Sequence, residues 1–301
     1  MKRTLILLCC AWAVANGAES NVHWAAGVSE QGGWYDFDKT FSGDKDMCWA
    51  AAASNVIAWW QDRNPILTFS AGAPVKDAVW STVRGSFNNI SGYPIDAFNW
   101  YYSGEISDNT IRASLTDYGK GQGAYYKDLL QGGPEYELSS IMVIRGANLA
   151  SAAVYSSVLC NLLDQGYGIA LGISGNKGGG SRYGHAITLW GAEVDPQTGI
   201  LSKIWITDSD DAENGLDFGL VPLTCSVKQA ASGDMEYISV ESATLTNGRQ
   251  QYPANEAVLD QFFAVNSNII SWLPPAVPEP ATGLLSLLGL AALGARRRKQ
   301  R

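Results

Sequence analysis

Histidine is nearly absent from this chain: among 301 residues there are two, His23 and His185. Cysteine is scarce as well, with five, two of which (Cys9 and Cys10) fall in the first ten residues. So thin a supply of nitrogen and sulfur ligands leaves no recognisable zinc spacing, and no metal is expected. No phosphate-binding glycine loop is present, because Gly178-Gly-Gly180 is followed by neither a helix nor a Lys-Ser/Thr pair. No nucleotide or other cofactor is expected. Positive charge is short too: away from its two ends, residues 19–276 hold 14 basic and 28 acidic side chains. A net negative charge of that size argues against nucleic acid or anionic lipid as partner. No internal repeat is visible. What remains is apolar and aromatic, 46% hydrophobic with 11 Trp and 13 Tyr, the composition of a chain that buries a core.

Long apolar runs occur only at the ends. Residues 1–18 have the order of a secretory signal: Lys2 and Arg3, an apolar Leu5 to Val14, then small residues around Ala13–Ala18. At the other end Val277-Pro-Glu-Pro280 precedes an apolar Ala281 to Ala295 and the basic Arg296-Arg-Arg-Lys-Gln-Arg301. These three parts in this order resemble the PEP-CTERM sorting signal of Gram-negative bacteria. The resemblance implies export, transient membrane association through the apolar segment, handling by a sorting and processing machinery, and a final place in the cell envelope or outside the cell. The apolar run is short for a stable span, and its basic tail would stay cytoplasmic. The expected organisation is a signal peptide over 1–18, one domain over 19–272 and the sorting signal over 273–301.

Between the signals the chain is organised around Cys48. The stretch Lys39-Thr-Phe-Ser-Gly-Asp-Lys-Asp-Met-Cys48 is a polar loop, and Trp49 to Trp60, with four alanines in a row at Ala50 to Ala53, predicts a helix. Asp44 and Asp46 are placed to cap its start. Cys48 then sits in the first turn, where unpaired N–H groups and the helix dipole favour a thiolate. The same position also suits a small core residue. Cys160 lies within a predicted helix over 152–165 and is either core or half of a bridge to Cys225. Residues 107–118 and 122–131 predict short helices.

From residue 166 the pattern changes to alternation. Strands are expected over 167–173, 184–190 and 201–207, with a turn at Asp195-Pro-Gln-Thr-Gly199. A hairpin folded about Pro196–Gln197 sets His185 opposite Asp208. A one-residue slip brings Thr207 or Ser209 there instead, with Asp210 on the neighbouring turn. His185 is then either a hydrogen-bonded core residue or a base that an aspartate orients toward a cysteine nucleophile. His23 stands near the N-terminus with no expected polar neighbour.

Gly32-Gly-Trp-Tyr-Asp-Phe-Asp-Lys39, Cys48 with its helix ending Trp59-Trp60, Gly184-His-Ala-Ile-Thr-Leu-Trp-Gly-Ala192 and Ile206-Thr-Asp-Ser-Asp210 resemble the IdeS/Mac family of immunoglobulin-degrading cysteine proteases. The motifs cover about 32–60 and 184–211, and the likeness between them is loose. The resemblance implies an α+β, papain-like fold with a cleft between a helical part and an antiparallel sheet. It implies a cysteine endopeptidase acting on a protein or peptide substrate, with Cys48 as nucleophile and His185 as base. Asp208 would orient the histidine, Asp210 support the site and Lys39 serve the oxyanion hole. The chain departs from the family by one residue fewer between lysine and cysteine, which leaves Lys45 as a second candidate. Its middle region differs, so immunoglobulin is not carried over as substrate. Two other readings of the residues stand beside this one: another thiol acyl-transfer enzyme, transglutaminase- or amidase-like, and a catalytically silent surface or matrix protein.

Overall fold

The computed structural model describes residues 21–130, 151–176, 182–211, 218–229, 236–241 and 257–267. Both predicted terminal signals lie outside them. Among the described residues no helix is long and apolar enough to cross a membrane.

After a short strand β1 (Val22–Trp24) comes the central helix α1 (Cys48–Arg63). Alanines 50–53 give it propensity and let its neighbours approach closely. Trp49 through Gln61 are all buried, so the helix is enclosed on every side rather than amphipathic. Asp44 and Asp46 do not cap it, contrary to expectation. Met47 is the N-cap residue and offers no side-chain bond. Asp44 instead accepts from Thr40 and pairs with Arg84 Nε at 2.7 Å, and the Asp46 N–H donates to Asn89 Oδ1 at 2.7 Å.

Around α1 pack α2 (Pro65–Ser70), α3 (Val79–Ser86), α4 (Pro94–Ser103), α5 (Asn109–Ala113), α6 (Asp117–Lys120) and α7 (Lys127–Leu130). The single helix expected over 107–118 is two. Asp108 caps the first turn of α5, and Thr116 Oγ1 accepts from the Gly119 N–H to start α6 afresh. The helix expected over 122–131 contracts to the one turn of α7. Helix α8 (Ala152–Asp164) falls where expected.

The remainder is one sheet of β1, β2 (Tyr167–Asn176), β3 (Arg182–Val194), β4 (Leu201–Thr207), β5 (Val221–Gln229), β6 (Glu236–Glu241) and β7 (Ala257–Asn266). The order β3-β2-β7-β6-β5-β4 closes because β4 also pairs with β3, giving an antiparallel barrel. β1 extends the edge that β3 shares with β2, pairing with residues 191–193. Closure removes free sheet edges. Ile169, Leu171, Ile187, Leu189 and Ile206 share one buried face. Helix α1 lies on the other face, where the Asn55 amide donates to Thr188 Oγ1 at 3.0 Å and Thr207 Oγ1 at 3.3 Å. The molecule is therefore α+β, with a helical layer against a barrel.

The β3–β4 hairpin forms, in a different register. Val194 pairs with Leu201 and Thr188 with Thr207, with bulges at Leu189/Gly191 and Glu193/Val194. The turn is centred one position later than expected, and continuing the ladder would set His185 level with Asp210. The ladder stops at Thr207, so the contacts of His185 are set by the turn that follows. Cys160 and Cys225 form no bridge; each is buried. His23, expected to lack a polar neighbour, has one: its Nδ1 meets Asp164 Oδ1 at 2.8 Å, because β1 brings it against the end of α8.

Candidate active site

Cys48, His185, Asp208, Asp210 and Lys39 come together where the start of α1 meets the barrel. Cys48 opens α1 and is half-buried. His185 stands opposite Ile173 in the β2–β3 ladder. Past Thr207 the chain turns, with the Asp211 N–H donating to the Asp208 carbonyl at 3.2 Å. That turn carries the Asp208 carboxylate to 2.6 Å from His185 Nε2, and the Asp210 N–H donates to the same Asp208 oxygen at 3.0 Å. The expected partner of His185 is thus the right one, reached by a turn rather than by cross-strand register. Asp210 comes to 3.9 Å from His185 Nδ1.

Cys48 and His185 are joined by a side-chain hydrogen bond. With Nε2 held by Asp208, Nδ1 is the nitrogen left for sulfur. Burial alone would push the Cys48 thiol up; His185, Lys39 and the Ala186 N–H outweigh it and hold the thiol below its ordinary 9.0. Burial likewise disfavours a charged His185, and Asp208 with Cys48 overrides it, holding the imidazole well above its ordinary 6.5. Both shifts favour a thiolate–imidazolium pair.

The two candidate lysines separate cleanly. Lys39 is 3% exposed, and its ammonium donates to the Lys45 carbonyl at 2.7 Å and meets Asp210 Oδ1 at 2.5 Å. Lys45 is exposed and gives the buried ammonium a backbone oxygen. The Lys39 N–H donates to the Ser209 carbonyl at 3.0 Å, tying the segment before α1 to the turn after β4. Gly33 makes the approach of that segment possible: its φ is 87°, and a Cβ there would lie 2.2 Å from the Gly27 carbonyl oxygen.

These groups open onto a cleft of about 750 Å³, lined also by Trp49, Tyr93, Ile173, Asp260 and Phe263. Sequence reasoning did not assign these five to a site: Trp49 and Ile173 read only as parts of α1 and β2, and Tyr93 in the middle region and Asp260 and Phe263 on β7 carry no motif. His185, Asp208 and Asp210 lie close enough to surround an ion. The atoms are already engaged, however, Asp208 with His185 and Asp210 with Lys39.

A second acidic group also escaped the sequence reading. Asp36, Asp38 and Asp211 offer carboxylate oxygens that all lie within 4.8 Å of one another. The Asp211 carboxyl is pushed up to about 8, by burial first and then by Asp38 and Asp208.

The family profile described as Mac 1 matches residues 13–69, and the profile described as PEP-CTERM protein-sorting motif matches residues 276–299. A protein of Streptococcus suis (strain P1/7) named IgM protease is 25% identical over 222 residues, which is 64% of this chain. The chain matches 19% of that relative's length. The likeness to the IdeS/Mac family read from the sequence is thereby borne out, as is the C-terminal motif, which points to export and C-terminal sorting in Gram-negative bacteria.

Proposed function

We propose that this chain, similar to the IdeS/Mac proteins and carrying a PEP-CTERM motif, is an exported cysteine endopeptidase of papain-like fold. One observation carries the reading: a half-buried cysteine at a helix start is hydrogen-bonded to a histidine whose other nitrogen meets a buried aspartate at 2.6 Å, at the wall of an open cleft. The relative's name supplies the reaction class, and the split between a helical layer bearing the thiol and a barrel bearing the imidazole supports the papain-like assignment. Entry into the export pathway through a signal peptide at 1–18 belongs to the same proposal.

In this reading the Cys48 thiolate attacks the scissile carbonyl. The His185 imidazolium gives its proton to the departing amine, and the thioester forms as the C–N bond breaks. His185, now neutral, takes a proton from the water that attacks the thioester, and Cys48 leaves as thiolate. Asp208 holds the ring and its charge. The oxyanion would meet the Cys48 N–H, one of the helix-start donors without an intrahelical partner, and the third N–H of Lys39. An ammonium has three donors, and Lys45 O and Asp210 take two. Asp210 thus positions Lys39 while standing beside the imidazole.

The test is covalent capture followed by digestion. E-64 should label Cys48 alone among the three cysteines of residues 21–267, and a peptide library should be cut to products with free carboxylates. Cys48→Ala should abolish both. Products joined to added amines would assign acyl transfer instead, and unlabelled Cys48 with an uncut library would overturn the enzyme reading.

A further inference from the structure

The barrel wall of the cleft is shaped by an irregularity between β2 and β7. Leu171 pairs with Phe262 and Ile173 with Leu259, so Asp260 and Gln261 together stand opposite the single residue Gly172. A bulge of this kind interrupts the alternation of a strand and re-aims a side chain. Gly172 leaves it room, since a Cβ there would lie 3.1 Å from Gln261 Cγ and 3.2 Å from the Gln261 carbonyl oxygen. Gly172, Asp260 and Gln261 all line the cleft.

Charge among the other lining residues is balanced. Lys39 pairs with Asp210, and Cys48 and His185 favour opposite charges. Lys45 is followed by Asp46, whose carboxylate accepts from Asn89 Nδ2 at 3.3 Å. Asp260 is left over. It is exposed, and among the described residues no ion pair includes it. The same cleft is lined by the apolar surfaces of Tyr93, Pro94, Ile173 and Phe263. Apolar walls with one free carboxylate among them match a side chain that has an apolar stem and a cationic head.

We propose that Asp260 is a specificity-determining residue that selects substrates with an arginine or lysine close to the scissile bond, an inference that rests on the peptidase reading above. Ile173 pairs with His185 on one side and with Leu259 on the other, so Asp260 stands two strands from the imidazole. That is about 10 Å at the usual strand spacing, and an extended peptide advances about 3.3 Å per residue. The selected side chain therefore lies within about three residues of the bond that is cut. Arginine should be favoured over lysine, because a guanidinium can give one carboxylate two parallel hydrogen bonds. Asp260 bonds the substrate away from the reacting atoms, so it decides which peptide enters and takes no part in proton transfer.

The experiment uses the full chain and peptides that differ only in arginine or citrulline, its uncharged near-isostere. The arginine is moved through the positions on either side of the scissile bond. A parallel set ends in an acyloxymethyl ketone, and its capture by Cys48 is read by mass spectrometry. At one position arginine should raise kcat/KM about 10-fold or more over citrulline, the effect of a hydrogen bond to a charged group. Added salt should reduce that ratio. Asp260→Asn should bring it close to one, and Asp260→Lys should turn the preference to a glutamate peptide, while Asp46→Asn should preserve it. Arginine and citrulline peptides cut and captured equally at every position would overturn the inference and leave the peptidase reading standing. An arginine preference undiminished in Asp260→Asn would overturn it too. Peptides of both kinds neither cut nor captured by Cys48 would bring down the peptidase reading, and the inference with it.

Discussion

His185 faces a carboxylate through one nitrogen and a thiol through the other, so its loss is felt at the sulfur. The thiolate–imidazolium form is favoured between the lowered pKa of Cys48 and the raised pKa of His185. For Cys48 the stabilisation is present above the unfolded thiol value and is lost as pH falls through the folded one. For His185 it is present below the unfolded imidazole value and is lost as pH rises through the folded one. The rate of Cys48 alkylation by iodoacetamide should therefore rise with pH at a midpoint below the ordinary 9.0. In His185→Ala the midpoint should move up, because burial, the largest influence, is then opposed only by Lys39 and the Ala186 N–H. An unmoved midpoint would break the pair. Lys39→Ala should lower kcat by about 10²–10³ with little change in KM, as loss of an oxyanion donor does, while Lys45→Ala should change neither. Asp208→Asn should cost more activity than Asp210→Asn, because Asp208 makes the 2.6 Å contact. That these residues come together was legible in the sequence because motif and chemistry agreed. The acidic trio was not, since three aspartates separated by up to 175 positions carry no spacing signal until the fold joins them.

At the scale of elements, α1 was readable from its alanines and tryptophans and the β3–β4 hairpin from its alternation. Register and caps were not, because both turn on single-residue choices. A bulge shifts a ladder by one, and Asp44 found a better partner in Arg84 than in the helix start. What locks α1 onto the barrel is a polar joint. Asn55, 1% exposed, accepts from the Phe37 N–H and donates to Thr188 and Thr207. Asn55→Leu keeps most of the volume and strands the Phe37 N–H, while Thr188 and Thr207 each lose one donor and keep their bonds to the Ala52 carbonyl and to Trp190 Nε1 and the Tyr35 carbonyl. Stability to urea should fall by about 1–3 kcal/mol, the cost of buried groups left unpaired. A variant as stable as its parent would show that water enters and repairs the joint.

For the molecule as a whole, closure of the barrel is the feature that local pattern least reveals. It rests on β7 pairing with β2, strands far apart in sequence, while β4 joins its sequence neighbours β3 and β5. The division of labour follows from that architecture: α1 contributes the sulfur, the barrel contributes the imidazole, and neither layer alone has a site. Their fit then sets the distance between Cys48 and His185. Gly168 on β2 lies directly beneath α1, where a Cβ would come within 2.7 Å and 2.8 Å of Trp59 ring carbons and 3.2 Å of Val56 Cγ1. Trp59 is fully buried and its indole N–H donates to the Ala26 carbonyl at 3.1 Å, so the ring has little room to retreat. Gly168→Ala should force α1 away from the barrel at a cost of about 1–3 kcal/mol, the usual range for overpacking. Since Cys48 rides on that helix and His185 does not, the same change should weaken their hydrogen bond without touching either. The measurable signature is a lowered unfolding temperature together with an alkylation profile displaced toward that of His185→Ala. Lowered stability with an unchanged profile would mean that the two layers yield locally at Trp59 and that the geometry of the cleft is insulated from their packing.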